Sequence, residues 1–246
     1  MRDNPAMVRP HSATSDGLQS RRSIQTLTAL AFAVCFLFIG LMGMAVADEI
    51  VPVGITQEEL FGTMLRSSKW KKMPIGVCWE NPSDSNAVKR AIVRQAVEET
   101  WVAHSAISFT GWDDTCVEKT PGVHIRISDE EPHTRAMGYY LDQYPSGLIL
   151  NFEFTNWGRD CMQKRDFCIY AVAAHEFGHV LGFTHEQNRN DAPPECKAER
   201  SGTVGDYKVT RFDRGSIMSY CNPNWNGDGK LSELDIQAVQ TVYGKQ

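Results

Sequence analysis

The chain has no basic excess, no internal repeat and no low-complexity tract. Lys and Arg number 25 against 30 Asp and Glu, for a formal net charge of −5, so the cationic face that a phosphate backbone requires is missing. Nucleic acid is excluded as a partner on that ground. Without a repeat there is no solenoid or propeller to build. The first 47 residues hold four basic and two acidic side chains, leaving 21 basic and 28 acidic for the remainder. Apolar residues at 42% and charged residues at 22% fit one ordinary globular domain.

Long apolar runs are equally scarce. There is one, from Leu27 to Val46, preceded by Arg21-Arg22 and closing on Ala45-Val46-Ala47. A basic start, an apolar middle and an A-x-A end read as an export signal over residues 1–47, with Asp48 as the first mature residue. The destination is then secreted or periplasmic. The run is nearly long enough to span a bilayer, so an uncleaved anchor is the alternative, and only then is the membrane a partner. Ser20-Arg21-Arg22 hints at twin-arginine export, but the residues after it fit poorly. Cys35 follows Val34 rather than a small residue and is not a lipoprotein signal.

Beyond residue 47 the cysteines are Cys78, Cys116, Cys161, Cys168, Cys196 and Cys221. Six cysteines in an exported chain imply disulfides, with about fifteen possible pairings. Short spacing favours Cys161–Cys168, and Cys196–Cys221 would staple a loop, which leaves Cys78–Cys116.

The richest segment is His175-Glu176-Phe177-Gly178-His179-Val180-Leu181-Gly182-Phe183-Thr184-His185-Glu186. On a helix His175 and His179 stand one turn apart on one face and can share a metal ion. Glu176 beside the first ligand can reach a water on that metal. Gly182 can adopt the left-handed conformation that ends a helix and turns the chain back, which brings His185 in as third ligand. Three protein ligands leave a fourth tetrahedral position open, the mark of a catalytic zinc. The histidines supply the ligands, so the cysteines are not read as zinc-binding. Ile169 to Leu181 is apolar on one side, contains no proline, and predicts a buried helix. Some thirty residues after His185 stands Ser216-Ile217-Met218-Ser219-Tyr220, where Met218 suits the turn that floors an extended site of this kind.

These residues resemble the metzincin clan of zinc endopeptidases. His185-Glu186-Gln187-Asn188-Arg189 is especially similar to the astacin family, and Leu231 to Gly244 resembles the last helix of matrixins. The likeness covers residues 168–189, 216–220 and 231–244. It implies an α+β fold in which a twisted mixed sheet and long helices flank a zinc cleft between N- and C-terminal subdomains. It implies that Tyr220 stabilises the oxyanion or serves as a fifth ligand, and that Glu186 orders the interior. It also implies that substrate lies antiparallel along an edge strand, for which Ala136 to Tyr140 is the candidate; a plain hydrophobic strand is the alternative.

Residues 48–72 read as a short propeptide or N-terminal arm, and 73–246 as the catalytic domain. Propeptides of the clan block zinc with cysteine or aspartate. Neither is offered convincingly here, so latency by this segment is not expected. Strands are predicted at Ile75 to Trp79, Ile107 to Trp112, Val123 to Ile127, Ala136 to Tyr140 and Leu148 to Phe154. Ser85 is the expected cap of a helix from Asn86 to His104, with Val88, Ile92, Val93, Ala96, Val97 and Trp101 as its core stripe. His104, His124 and His133 read as ordinary residues, not ligands of a second metal.

Asn222 to Glu233 has the offsets of a twelve-residue calcium loop, with Gly227 sixth and Glu233 twelfth. The first position is Asn rather than Asp and no helix leads in. A turn followed by a helix cap is preferred to Ca2+, with Ser232 and Asp235 starting the last helix.

The reading that unites these features is a secreted, monomeric zinc endopeptidase acting on protein or peptide substrates. His175, His179 and His185 bind Zn2+, Glu176 is the general base and Tyr220 the oxyanion donor. One rival is an exported zinc-containing binding module, which has no use for Glu176. A second is a zinc hydrolase of a non-peptide amide.

Overall fold

The computed structural model describes residues 63–246. The export signal, the A-x-A site, Cys35 and most of the proposed arm lie outside the described residues.

Strands β1 (Ile75–Trp79), β2 (Phe109–Thr110), β3 (Val123–Ile127), β4 (His133–Thr134) and β5 (Leu148–Leu150) form one sheet in the order β2-β1-β3-β5-β4. The pairs β2-β1, β1-β3 and β3-β5 are parallel. β4 lies antiparallel on the edge, with His133 opposite Ile149 and Thr134 opposite Leu148. The mixed sheet matches the expectation. β1 and β5 are apolar and almost wholly buried, as parallel strands are when covered on both faces.

Helices α1 (Ala87–Val97), α2 (Arg165–Val180), α3 (Pro194–Lys197) and α4 (Glu233–Tyr243) complete the fold. α1 begins after a capping box of Ser83 and Asn86 rather than at Ser85, and it continues as a wider turn over Glu98–Val102. Val93, Ala96, Val97 and Trp101 are buried as expected, but Val88 is 75% exposed. The stripe therefore starts one turn later than the apolar spacing suggests. Trp101 joins α1 to the zinc-motif helix: its indole N–H donates to Ala174 O at 2.7 Å and its ring stacks on Phe183 at 5.4 Å. Phe177 of α2 meets Phe109 and Trp112 at 5.4 and 5.6 Å. An aromatic wedge thus fixes α2 against the sheet.

One expectation fails. Ala136 to Tyr140 is not a strand; Gly138–Leu141 is a tight helical turn, and the edge strand lies just before it at β4. Gly138 has φ +51°, and a Cβ there would collide with Ser68 O, so this backbone turns away from the sheet. Residues ahead of 73 also pack against the rest. Met64 bridges Phe183 and Tyr207, and the Trp70 indole donates to Val180 O at 2.8 Å, so residues from Thr63 are part of the packed domain.

The three disulfides are Cys78–Cys116, Cys161–Cys168 and Cys196–Cys221, the pairing favoured by spacing. Cys161–Cys168 ties a short turn to the first turn of α2. No helix among the described residues is long and apolar enough to cross a membrane. Cys78–Cys116 closes a separation of 38 residues, so replacing both cysteines with serine is expected to lower stability by about 2–4 kcal/mol. Urea unfolding of the double variant checks this; an unchanged midpoint would show that β1 needs no such tie.

Candidate metal centre

α2 ends in a Schellman turn. Phe183 N–H donates to Gly178 O and Gly182 N–H to His179 O, both at 2.9 Å, with Gly182 at φ +91°. A Cβ on Gly182 would also lie 2.5 Å from Ser68 Oγ, so glycine is required twice over. The last carbonyls of the helix are met by side chains: Val180 O by Trp70 and Leu181 O by the Tyr243 hydroxyl at 2.7 Å. The turn carries His185 back beside His175 and His179, as the sequence spacing predicts.

The three rings share one hydrogen-bonding plan. His175 Nδ1–H donates to Ile217 O at 2.7 Å, His179 Nδ1–H to Phe183 O at 2.8 Å and His185 Nδ1–H to Ser201 O at 3.0 Å. Each proton is thereby held on Nδ1, and each Nε2 turns inward as a lone pair. The Nε2 atoms of His175 and His179 stand 3.3 and 3.0 Å from that of His185. Burial, then the neighbouring His185, lowers the His175 pKa to about 3. The same causes push His179 well below the usual histidine value, and burial lowers His185. Three neutral nitrogens facing one another in a buried space repel unless a cation lies among them. Tetrahedral zinc at about 2.0–2.1 Å from each would set them about 3.3 Å apart, so the residues fit the ion.

Glu176 is buried at the same cleft, and its Oε2 is one of two buried side-chain atoms without a hydrogen-bond partner among the described residues. Burial, followed by the charge of Glu131, lifts its pKa to about 8. Tyr220 lies over His185 at 4.4 Å and His175 at 5.8 Å between ring centroids. Burial and then Glu176 raise its phenol pKa, so it remains a proton donor at neutral pH. The opposite wall of the cleft is the segment from Glu131 to Met137, which includes edge strand β4. His133, read as an ordinary residue, lines this cleft. His124 is buried, with Nε2 2.8 Å from Thr120 O and the Cys78–Cys116 disulfide beside it.

Met218 is buried. A Cβ on Gly178 would collide with Met218 Sδ and stand 3.1 Å from Trp101, so this helical glycine is where the methionine turn touches α2. Asp235, legible in sequence only as a helix-start residue, anchors that turn: it accepts from Ser216 Oγ (2.6 Å) and from Ile217 N–H (2.9 Å). It also completes the capping box with Ser232. The Asn222–Glu233 segment is a turn, with Asn226, Gly227 and Asp228 at positive φ, leading into this cap. Asn222 Nδ2 donates to Gly215 O and Ser216 O, and no acidic cluster with metal-ligand spacing forms there among the described residues. The turn ends on the Ser232–Asp235 cap that starts α4.

The polar run after His185 is buried throughout. Glu186 accepts from Asp213 N–H at 2.7 Å and lies 3.5 Å from Arg189 Nε; burial still raises its pKa to about 8 against the pull of Arg189. Arg189 grips both oxygens of Asp191 at 2.8 and 2.9 Å and donates to Thr63 Oγ1 and to Thr210 O. Sequence reasoning assigns no separate role to Gln187, Asn188 or Ser201. The available signal is an unbroken polar run directly behind a metal ligand.

In sequence and in fold the chain is similar to zinc metalloproteases. The model of the Astacin peptidase family matches residues 157–195. Interstitial collagenase of Bos taurus is 27% identical over 185 residues, covering 68% of this chain and 33% of that protein. The zinc metalloproteinase nas-36 of Caenorhabditis briggsae is 24% identical over 217 residues, covering 74% and 31%. The chain thus spans about a third of the length of the curated relatives it matches. Among solved structures myroilysin aligns with a TM-score of 0.54 at 21% identity, covering 74% of this chain and 98% of that one, which shows the shared fold.

Two outcomes are expected. Gly178→Ala gains about 1 kcal/mol in helix propensity but drives a methyl into Met218, so a net loss of about 1–2 kcal/mol is expected on thermal unfolding; a stabilised variant would contradict the contact. Burial pushes Asp191 up, but Arg189, Phe212 N–H and Lys208 outweigh it and hold its pKa at about 2. A lowered carboxylate pKa adds stability that is full above the ordinary value near 3.8 and is lost as pH falls towards 2. Discounted for solvent screening of this partly exposed group, Asp191→Asn should remove about 1 kcal/mol at pH 6 and flatten the stability profile between pH 4 and about 2.

Proposed function

We propose that the chain is an exported zinc-dependent endopeptidase that hydrolyses peptide bonds with Glu176 as general base. The convergence of three Nε2 atoms beside an unpartnered buried carboxylate carries this reading. His175, His179 and His185 would hold the ion; when bound, zinc supplies a Lewis acid that acidifies a water and polarises a carbonyl.

The chain's own groups do the rest. Glu176 Oε2 has no competing donor, so it is free to take a proton from the attacking water and return it to the departing amine. Its burial makes it a stronger base than an exposed carboxylate, and a cation held by the three histidines would favour its ionised form. Tyr220, held protonated, can donate to the developing oxyanion. Edge strand β4, with its outer side unpaired among the described strands, offers backbone groups for an extended peptide. This favours a polypeptide over a small amide. Three disulfides suit an oxidising, extracytoplasmic setting.

Glu176→Gln keeps the shape and removes the base. With zinc content matched to wild type, peptide hydrolysis is expected to fall about 10²–10⁴-fold. A zinc-loaded Glu176→Gln protein that cleaves casein at the wild-type rate would overturn the assignment. So would a wild-type protein that binds zinc and cleaves no peptide.

A further inference from the structure

The three carbonyls that orient the zinc ligands are not equally well founded. Phe183 sits in the Schellman turn, and Ile217 is tied through its own N–H to Asp235. Ser201 belongs to an irregular stretch, Ser201–Thr203, that makes no backbone–backbone hydrogen bond among the described residues. One side chain takes the place of that ladder. Asn188, 2% exposed, donates from Nδ2 to Ser201 O at 2.6 Å and to Thr203 O at 3.0 Å, while its Oδ1 accepts from Ser201 N–H at 3.1 Å. The Ser201 carbonyl gripped in this way is the one that receives His185 Nδ1–H. Gln187 assists from next door, linking Glu199 O at 3.4 Å to Tyr220 N–H at 3.1 Å.

We propose that Asn188 is a positioning residue for the metal, acting through the Ser201 carbonyl to fix the tautomer and orientation of His185. The proposal rests on the zinc reading of the site. A histidine can ligate through Nε2 only while its proton resides on Nδ1, and a fixed acceptor at Nδ1 is what enforces that. Without Asn188 the acceptor is carried by a loop with no backbone ladder to hold it. His185 then samples the tautomer with its proton on Nε2, which cannot bind metal. Partners one step removed from a ligand typically set metal affinity by about 10–100-fold.

The test measures Zn2+ affinity of the full chain by competition with a chromophoric chelator, alongside thermal unfolding of the metal-free protein. Asn188→Asp is the informative variant: it keeps the shape and can accept from Ser201 N–H, but cannot donate to either carbonyl. Asn188→Ser, whose single hydroxyl cannot span both carbonyls, serves should the carboxylate prevent folding. Expected is an affinity lower by about 10–100-fold in a metal-free chain that melts lower but is still folded at the assay temperature, a loss larger than the metal-free destabilisation accounts for. In the cobalt-substituted variant the visible absorption bands should shift. Affinity within two-fold of wild type, or a loss that only parallels metal-free destabilisation, would overturn the proposal and leave the peptidase reading intact. A wild-type chain that fails to bind Zn2+ would sink both.

Discussion

Three imidazoles can offer their near nitrogens to one cation only if each keeps its proton on the far nitrogen. That requirement governs the C-terminal half of the molecule. The far nitrogens need acceptors, and the acceptors are backbone carbonyls of Phe183, Ser201 and Ile217, drawn from three separate segments. A displaced carbonyl releases a ring, and a released ring loses the geometry that a metal needs. The glycine that ends α2, the clamp at Asn188 and the anchor at Asp235 all act on this one constraint, from three directions.

The polar run Glu186–Arg189 shows what the constraint costs locally. Four consecutive polar residues, two of them ionisable, are buried directly after His185. Such burial is unfavourable unless nearly every group finds a partner. Here the partners exist: Asp213 N–H for Glu186, Tyr220 N–H for Gln187, the Ser201 and Thr203 carbonyls for Asn188, and Asp191, Thr63 and Thr210 for Arg189. The run therefore joins the loop after His185, the methionine turn and the segment at Thr63 into one hydrogen-bonded block. An apolar block of similar volume could be as stable, but it would not fix carbonyl directions.

The ligands are legible in sequence because their side chains do the work and their spacing follows from helix geometry. Gly182 is legible because only glycine suits both its φ and its contact with Ser68. Two of the three carbonyl supports are not, since a backbone carbonyl is the same in every residue. Only the side chains that place them, Asn188 and Asp235, carry any residue-level trace. The edge strand is misplaced by composition for a related reason. Ala136-Met137-Gly138-Tyr139-Tyr140 has the composition of a strand, yet Gly138 must pass close to Ser68 O, and the chain turns. Hydrophobic content reports burial; it does not report which neighbour's backbone is in the way.

Asp235 changes how the last helix should be understood. α4 packs as an ordinary amphipathic element, with Ala238, Val239 and Val242 buried. By that measure it is a lid on the core. Yet its first turn holds Ser216 and Ile217, whose carbonyl holds His175, and its last turn sends the Tyr243 hydroxyl to the end of α2. One helix thus braces α2 at both ends of the stretch that carries His175 and His179. The local match to the Astacin model over residues 157–195 stops well short of α4. Asp235 and the methionine turn it anchors lie outside that span. The local match covers the histidines, while the first turn of α4, far along the chain, holds the carbonyl that orients His175.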